Sequence, residues 1–291
     1  VLTLCAWLSA CAVAATSDGG DGAAVLFPGS CQGHADCAES GVCRIEAAMP
    51  PGALLGQCYP AGAVALVDSG RCRPGAGRGT REEPFCEAQE PIDQGFALIA
   101  LVPRGLGKSY APVQVRGGPV AIVGPGRDAD KPAVLAGAAV IARTGDLSLW
   151  DLSVSSSESD FAVTCTAGQL ALRRVAVERS RGAVDASVGC SLIIDRSRLR
   201  DNSRAALRMD TNVRYLVVNS LIAGNGAGFS AVERSSMIDL VIDLASALRG
   251  NRFAFNTVVQ NQGGVVCRPG QVLSTSILTS PQGGRVVPDP S

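Results

Sequence analysis

The sequence predicts an all-β fold, a parallel β-solenoid, and three observations predict it. A short pattern returns along the chain as Gly145-Asp-Leu-Ser-Leu-Trp-Asp-Leu-Ser-Val154, Gly168-Gln-Leu-Ala-Leu-Arg-Arg-Val-Ala-Val177, Cys190-Ser-Leu-Ile-Ile-Asp-Arg-Ser-Arg-Leu199 and Val213-Arg-Tyr-Leu-Val-Val-Asn-Ser-Leu-Ile222, with a looser copy at Gly250-Asn-Arg-Phe-Ala-Phe-Asn-Thr-Val-Val259. Its equivalent positions Leu147, Leu170, Leu192 and Tyr215 lie 23, 22 and 23 residues apart. A repeat that short, built of β-formers and lacking helical periodicity, is one coil that buries its apolar face only by stacking on the next. The composition agrees: apolar residues make up 46% of the chain and aromatic residues 4%, which suits an interior of stacked aliphatic side chains.

The first element is an address. Val1 to Ala10 is apolar and ends in Leu8-Ser9-Ala10-Cys11. This resembles a bacterial lipobox, which implies residues 1–11 as a signal peptide with its lipidation site, acylation of Cys11, and anchorage through buried CH₂ groups at roughly 0.8 kcal/mol each. Ala12 follows the cysteine, and the resemblance then implies the outer membrane. Cleavage after Ala14 with free secretion is the competing reading. Residues 12–24, polar and rich in Gly and Asp, read as a flexible tether.

Residues 25–84 read as a cysteine-rich segment. Of the eleven cysteines, Cys31, Cys37, Cys43, Cys58, Cys72 and Cys86 crowd one Gly- and Pro-rich stretch. Their irregular spacing without a paired C-x-x-C argues for disulfides in an oxidising compartment and against a zinc ribbon. Such a piece buries too little apolar surface to fold without staples. The chain's one histidine, His34, sits between Cys31 and Cys37. A triad or a histidine-rich metal centre would have to use it, and an exposed turn residue is the simpler reading.

The solenoid is expected over residues 85–281, with a polar tail at 282–291. Phe85-Cys-Glu-Ala-Gln-Glu-Pro-Ile-Asp93 reads as a short amphipathic helix, followed by Phe96-Ala-Leu-Ile-Ala-Leu-Val-Pro103, Tyr110-Ala-Pro-Val-Gln-Val115 and Pro119-Val-Ala-Ile-Val-Gly-Pro-Gly126. This succession resembles the start of right-handed parallel β-helices of the pectin-lyase-like superfamily, where a helix caps the first coil. The resemblance specifies the fold more than the activity. A cap has a physical purpose, since it blocks edge-to-edge association at an open sheet end.

Within each coil the pattern places Leu147, Leu149 and Val154 inward, and likewise Leu170, Leu172 and Val177. The interruptions Trp150-Asp151, Arg173-Arg174, Asp195-Arg196, Val218-Asn219 and Phe255-Asn256 read as corners. On that alignment Asn219 and Asn256 occupy one corner position and form an asparagine ladder. Phe161 to Cys165, Gly182 to Asp185 and Ala205 to Arg208 read as the next strand of successive coils. Cys165 and Cys190 come near each other if one coil separates them, and Cys267 has no evident partner.

Pectin-lyase-like enzymes, by that resemblance, use clustered Asp residues with Ca²⁺ and a basic residue, or two or three Asp residues on adjacent coils. Here one corner column carries Asp151, Arg174, Arg196 and Asn219, and its neighbour Trp150, Arg173 and Asp195; neither holds two carboxylates. Asp151, Arg174 and Arg196 are the catalytic candidates, and a surface Asp–Arg ladder is the competing reading. Arg173, Arg174, Arg196 and Arg198 are candidates for an anion-binding face, against neutralisation between stacked coils. Formal net charge is zero, so no global field attracts nucleic acid, and no nucleic-acid partner, metal or cofactor is expected. Ca²⁺ enters only with a lyase.

The reading that results is a cell-surface lipoprotein whose non-enzymatic β-helix serves as scaffold or glycan- or protein-binding module. Its alternative is a polysaccharide lyase or glycoside hydrolase. The expected partners are a polysaccharide or a cell-surface protein, with the membrane engaged through the lipid.

Overall fold

The computed structural model describes residues 63–105, 107–125, 132–141, 144–187, 189–210 and 213–226, residue 256, and short strands outside them. Cys11, His34, Cys37 and the tether at 12–24 lie outside the described residues.

The chain is a parallel β-solenoid of about five turns. Three sheets run along it, of eight, seven and five strands, and every strand pair within them is parallel. One coil reads Gly145–Trp150, Ser153–Val154 and Phe161–Cys165; the next reads Gly168–Arg173, Ala176–Glu178 and Gly182–Ala186. Each strand pairs with its equivalent one coil away, so every apolar position stacks on its own kind.

That stacking makes the core. In the first sheet Val120, Leu147, Leu170, Leu192 and Tyr215 form one column, and Ile122, Leu149, Leu172, Ile194 and Val217 a second. Leu135, Val154, Val177, Leu199 and Ile222 line the second sheet. Val113, Ala138, Val163, Val184 and Leu207 line the third. All are buried, and each large aliphatic side chain contributes about 1.5–3 kcal/mol by leaving water. The core alternates with exposed or half-buried residues along each strand, as at Asp146 and Ser148.

The solenoid starts earlier than residue 85. Ala65–Val67 is the first strand of the eight-stranded sheet and pairs in parallel with Leu98–Leu101. Phe85 bridges to Val67 in parallel, and Leu66 donates to Gly79 O at 2.8 Å. The stretch 65–85 is therefore a first partial coil, closed by the Cys72–Cys86 disulfide. Glycine and proline in this stretch hid it, because only Ala65-Leu-Val67 carries strand character. Upstream, Ser30–Cys31, Val42–Arg44 and Gly56–Tyr59 form a small antiparallel sheet in which Cys43 stands opposite Cys58. Cys58 is disulfide-bonded.

The cap helix spans Gln89–Asp93 and not 85–93, with Pro91 in its first turn, where a missing N–H costs nothing. It closes an edge of the third sheet. The Gln89 side-chain amide accepts from Gln114 N at 2.8 Å and donates to Gln114 O at 3.2 Å, as a neighbouring strand would. Glu87 accepts from Ala111 N in the same way at 2.9 Å.

Two further differences concern the far end. The backbone register pairs Val218 with Ala254 and Leu221 with Thr257, and Ser220 N donates to Asn256 Oδ1, which sets Asn256 beside Ser220. Asn219 and Asn256 therefore do not share a corner position. Strand and corner of the looser fifth copy both stack one residue away from the alignment its sequence pattern suggests, and its corner has the same length as the one before it. Val287–Pro288, within the stretch read as a tail, pairs in parallel with Val266–Cys267. The side chain of Cys267 lies outside the description.

Candidate functional site

Two places on the solenoid carry the chemistry: the corner between the first and second sheets, and a groove at the corner between the second and third.

The first corner turns on residues with positive φ. Asp151, Arg174, Arg196 and Asn219 stand at φ 50°, 54°, 50° and 53°, one per coil. The left-handed conformation reverses the chain in one residue, at a cost of roughly 1–2 kcal/mol for a residue other than glycine. Stacking aligns these residues, and their side chains meet across coils. Asp151 and Arg174 form an ion pair at 2.5 Å. In the adjacent column Asp195 lies 3.8 Å from Arg173 and 3.9 Å from Arg196, and accepts from Asn219 Nδ2 at 3.2 Å.

These pairs are buried and are not the surface ladder the sequence suggested. The side chains of Asp151, Arg173 and Asp195 expose 5–6% of their surface and that of Arg174 14%. Burial pulls the Arg173 guanidinium below its ordinary range, and the Asp195 carboxylate beside it works in the opposite direction. The catalytic candidates Asp151 and Arg174 are thus brought together, with each neutralising the other. Arg196 reaches Asp195 instead. Of the anion-binding candidates, Arg198 reaches Glu178 at 4.0 Å.

Other arginines also span coils. Arg200 holds Glu178 through Nε and Nη2, at 2.7 and 3.2 Å. Arg208 holds Asp185 at 2.6 and 2.5 Å and lies 4.4 Å over the Phe161 ring. Hydrogen bonding to Asp185 raises the Arg208 guanidinium further above its ordinary value. Arg181 and Arg204 share Asp160 at the surface. Asp160, Glu178 and Asp195 each serve two arginines.

Two buried polar ladders accompany the corners and were missed in the sequence. At the first corner Val175 N donates to Ser197 Oγ, Ser197 N to Ser220 Oγ, and Ser220 N to Asn256 Oδ1. At the second corner Ser156 N donates to Ser180 Oγ, Ser180 N to Asn202 Oδ1, and Asn202 N to Asn225 Oδ1. Each side chain satisfies a backbone N–H that the bend removes from the sheet, a need that a buried corner imposes. The available signal was a Ser or Asn directly after five of the left-handed corner residues: Ser180, Ser197, Asn202, Ser220 and Asn225.

The groove has a volume of about 940 Å³ and opens on the second corner. Turn length creates it. The chain passes from Leu135 to Ala138 through residues 136–137 alone, and one coil earlier from Tyr110, which bridges to Leu135, to Val113 through residues 111–112, whereas the next coil uses residues 155–160. Gly137, at φ 146°, permits the short turn. Two successive short turns beside one projecting turn leave a recess at this corner. Its lining includes Pro112, Ala136 and Ala138, the serines Ser109, Ser153, Ser155 and Ser157, and Lys108, Glu158 and Arg179. Neither the groove nor its serine lining could be read from the sequence, because they depend on which turns project.

The N-terminal cap holds a third polar cluster. Arg104 donates to Ser69 Oγ and Ser109 O, pairs with Glu87 at 2.7 Å, and lies 4.8 Å over the Tyr110 ring. The Tyr110 hydroxyl donates to Val102 O at 2.5 Å, with Val67 O at 3.2 Å. Burial raises its pKa above the ordinary value. Arg104 is the tie between the first partial coil, the cap and the next coil.

Among the described residues, no three His, Cys, Asp or Glu side chains converge on one point. No family profile, curated protein or solved structure matches this chain.

Proposed function

We propose that this protein is a non-catalytic β-solenoid that binds a glycan strand in the groove at its second corner. The observation that carries the reading is the groove itself, about 940 Å³, whose lining combines small apolar residues, several serines and charges of both signs. Hydroxyls of serine offer a donor and an acceptor each, which suits a ligand that is itself polyhydroxylated. The mutual engagement of Asp151 and Arg174 supports a structural over a catalytic use of the first corner. The likeness of residues 85–280 to pectin-lyase-like β-helices supports the solenoid scaffold without requiring that enzyme chemistry. The lipobox-like Leu8-Ser9-Ala10-Cys11 supports display at the outer membrane through a lipid on Cys11.

Titration calorimetry of the purified chain against neutral and uronate oligosaccharides tests the reading. Saturable binding is expected, falling at least tenfold in Ala136→Trp, which fills the groove. Failure of every glycan to bind, or undiminished binding by Ala136→Trp, overturns it. Release of shortened products, abolished by Asp151→Ala, would establish the lyase or hydrolase alternative. Palmitate labelling that persists in Cys11→Ala would refute the anchor.

A further inference from the structure

Asn225-Gly226 is the one Asn-Gly step in the chain, and the fold places it at the base of a buried ladder. Asparagine before glycine is chemically fragile because glycine leaves its own backbone nitrogen free to approach the preceding side chain. That nitrogen, after losing its proton to a base, attacks Cγ of the asparagine. The Cγ–Nδ2 bond breaks, ammonia leaves, and a cyclic imide remains. Water then opens the imide at either carbonyl, giving aspartate or isoaspartate.

The folded solenoid blocks each requirement of this reaction. Gly226 N, the nucleophile, donates to Asn202 O at 2.6 Å. Asn225 Oδ1 accepts from Asn202 N at 3.3 Å and Asn202 Nδ2 at 2.8 Å, while its own Nδ2 donates to Leu199 O at 2.9 Å. Asn225 is 2% exposed, so base and water do not reach it. The glycine is nonetheless obligatory: a Cβ at 226 would lie 2.4 Å from Ser203 O. The corner therefore needs the fragile dipeptide and protects it by the same hydrogen bonds.

We propose that Asn225 is a conditional deamidation site, sealed in the folded solenoid and open once the coil carrying it separates, so that conversion records past unfolding and prevents return. The product carries a carboxylate where Nδ2 had donated to Leu199 O, and in the isoaspartate form an additional main-chain carbon. Neither fits a closed corner.

The test incubates the full-length protein at mildly alkaline pH, folded or in urea, and maps peptides by mass. Conversion at Asn225 is expected in urea and at least tenfold slower in the folded protein. Refolding yield after ageing in urea should fall in step with the converted fraction. Asn225→Gln, aged in urea where folding is irrelevant, should lose the reaction at this position, since the larger ring forms far more slowly. Equal rates in folded and unfolded protein, or full refolding of the converted chain, would overturn the proposal.

Discussion

The carboxylate of Asp151 and the guanidinium of Arg174 meet at 2.5 Å although each belongs to a different coil, and both residues hold the left-handed backbone that makes the corner. One pair thus ties turn geometry to charge neutralisation. Removing one partner leaves the other buried and uncompensated. Asp151→Ala is expected to cost about 3–5 kcal/mol. The double variant Asp151→Ala/Arg174→Ala should cost clearly less than the two single changes added. Urea unfolding of the four species measures the coupling, and strict additivity would refute it.

Arg179 gives the contrasting case. It has φ 55°, is exposed, and stands at the second corner, where the chain two coils further on uses Gly224 at φ 63°. Arg179→Gly should relieve the left-handed penalty and raise stability by about 1 kcal/mol, seen as a higher urea midpoint. The same change at Arg174 should lower it, because there the side chain holds Asp151.

The Cys165–Cys190 disulfide joins residues 25 apart, one whole coil, and both cysteines are buried. Closing a loop of that size removes about 3 kcal/mol worth of freedom from the unfolded chain. Cys165→Ala/Cys190→Ala should lose that amount, including the packing of two small side chains, while retaining the far-ultraviolet β signature. Reduction of the wild-type protein under native conditions should be slow at this bond.

Tyr110 predicts an alkaline weakness. Burial raises its pKa in the folded state above the ordinary value of 10.0. A raised folded pKa means that the associated stability is complete below the unfolded pKa and is lost as pH rises through the folded one. Stability should therefore decline above about pH 10, and Tyr110→Phe should flatten that decline while losing the bond to Val102 O. Denaturant midpoints taken across that range for both proteins check the sign.

The solenoid was legible because its rule is local and repeated: an apolar residue at every second strand position, returning with each coil, needs no knowledge of distant contacts. The inward set Leu147, Leu149, Val154 and its copies follows from that rule, as does the corner column of Asp151, Arg174, Arg196 and Asn219. The first partial coil was illegible because three strand residues, Ala65 to Val67, are too few to signal against glycine and proline. Asn256 falls outside the column the sequence alignment gives it because the loosely matching fifth copy stacks one residue out of that alignment along its whole length.

The sequence by itself determined the stacking fold, the aliphatic core and the columns in which charges stand. Tertiary structure decided which charges pair, which polar side chains descend into the ladders, and where a groove opens. The physical reason is the difference between periodic and relative information. Core positions are fixed by period within one coil, whereas an ion pair such as Arg208–Asp185, a ladder such as Ser180–Asn202–Asn225, and a recess at Gly137 exist only once neighbouring coils are set beside each other.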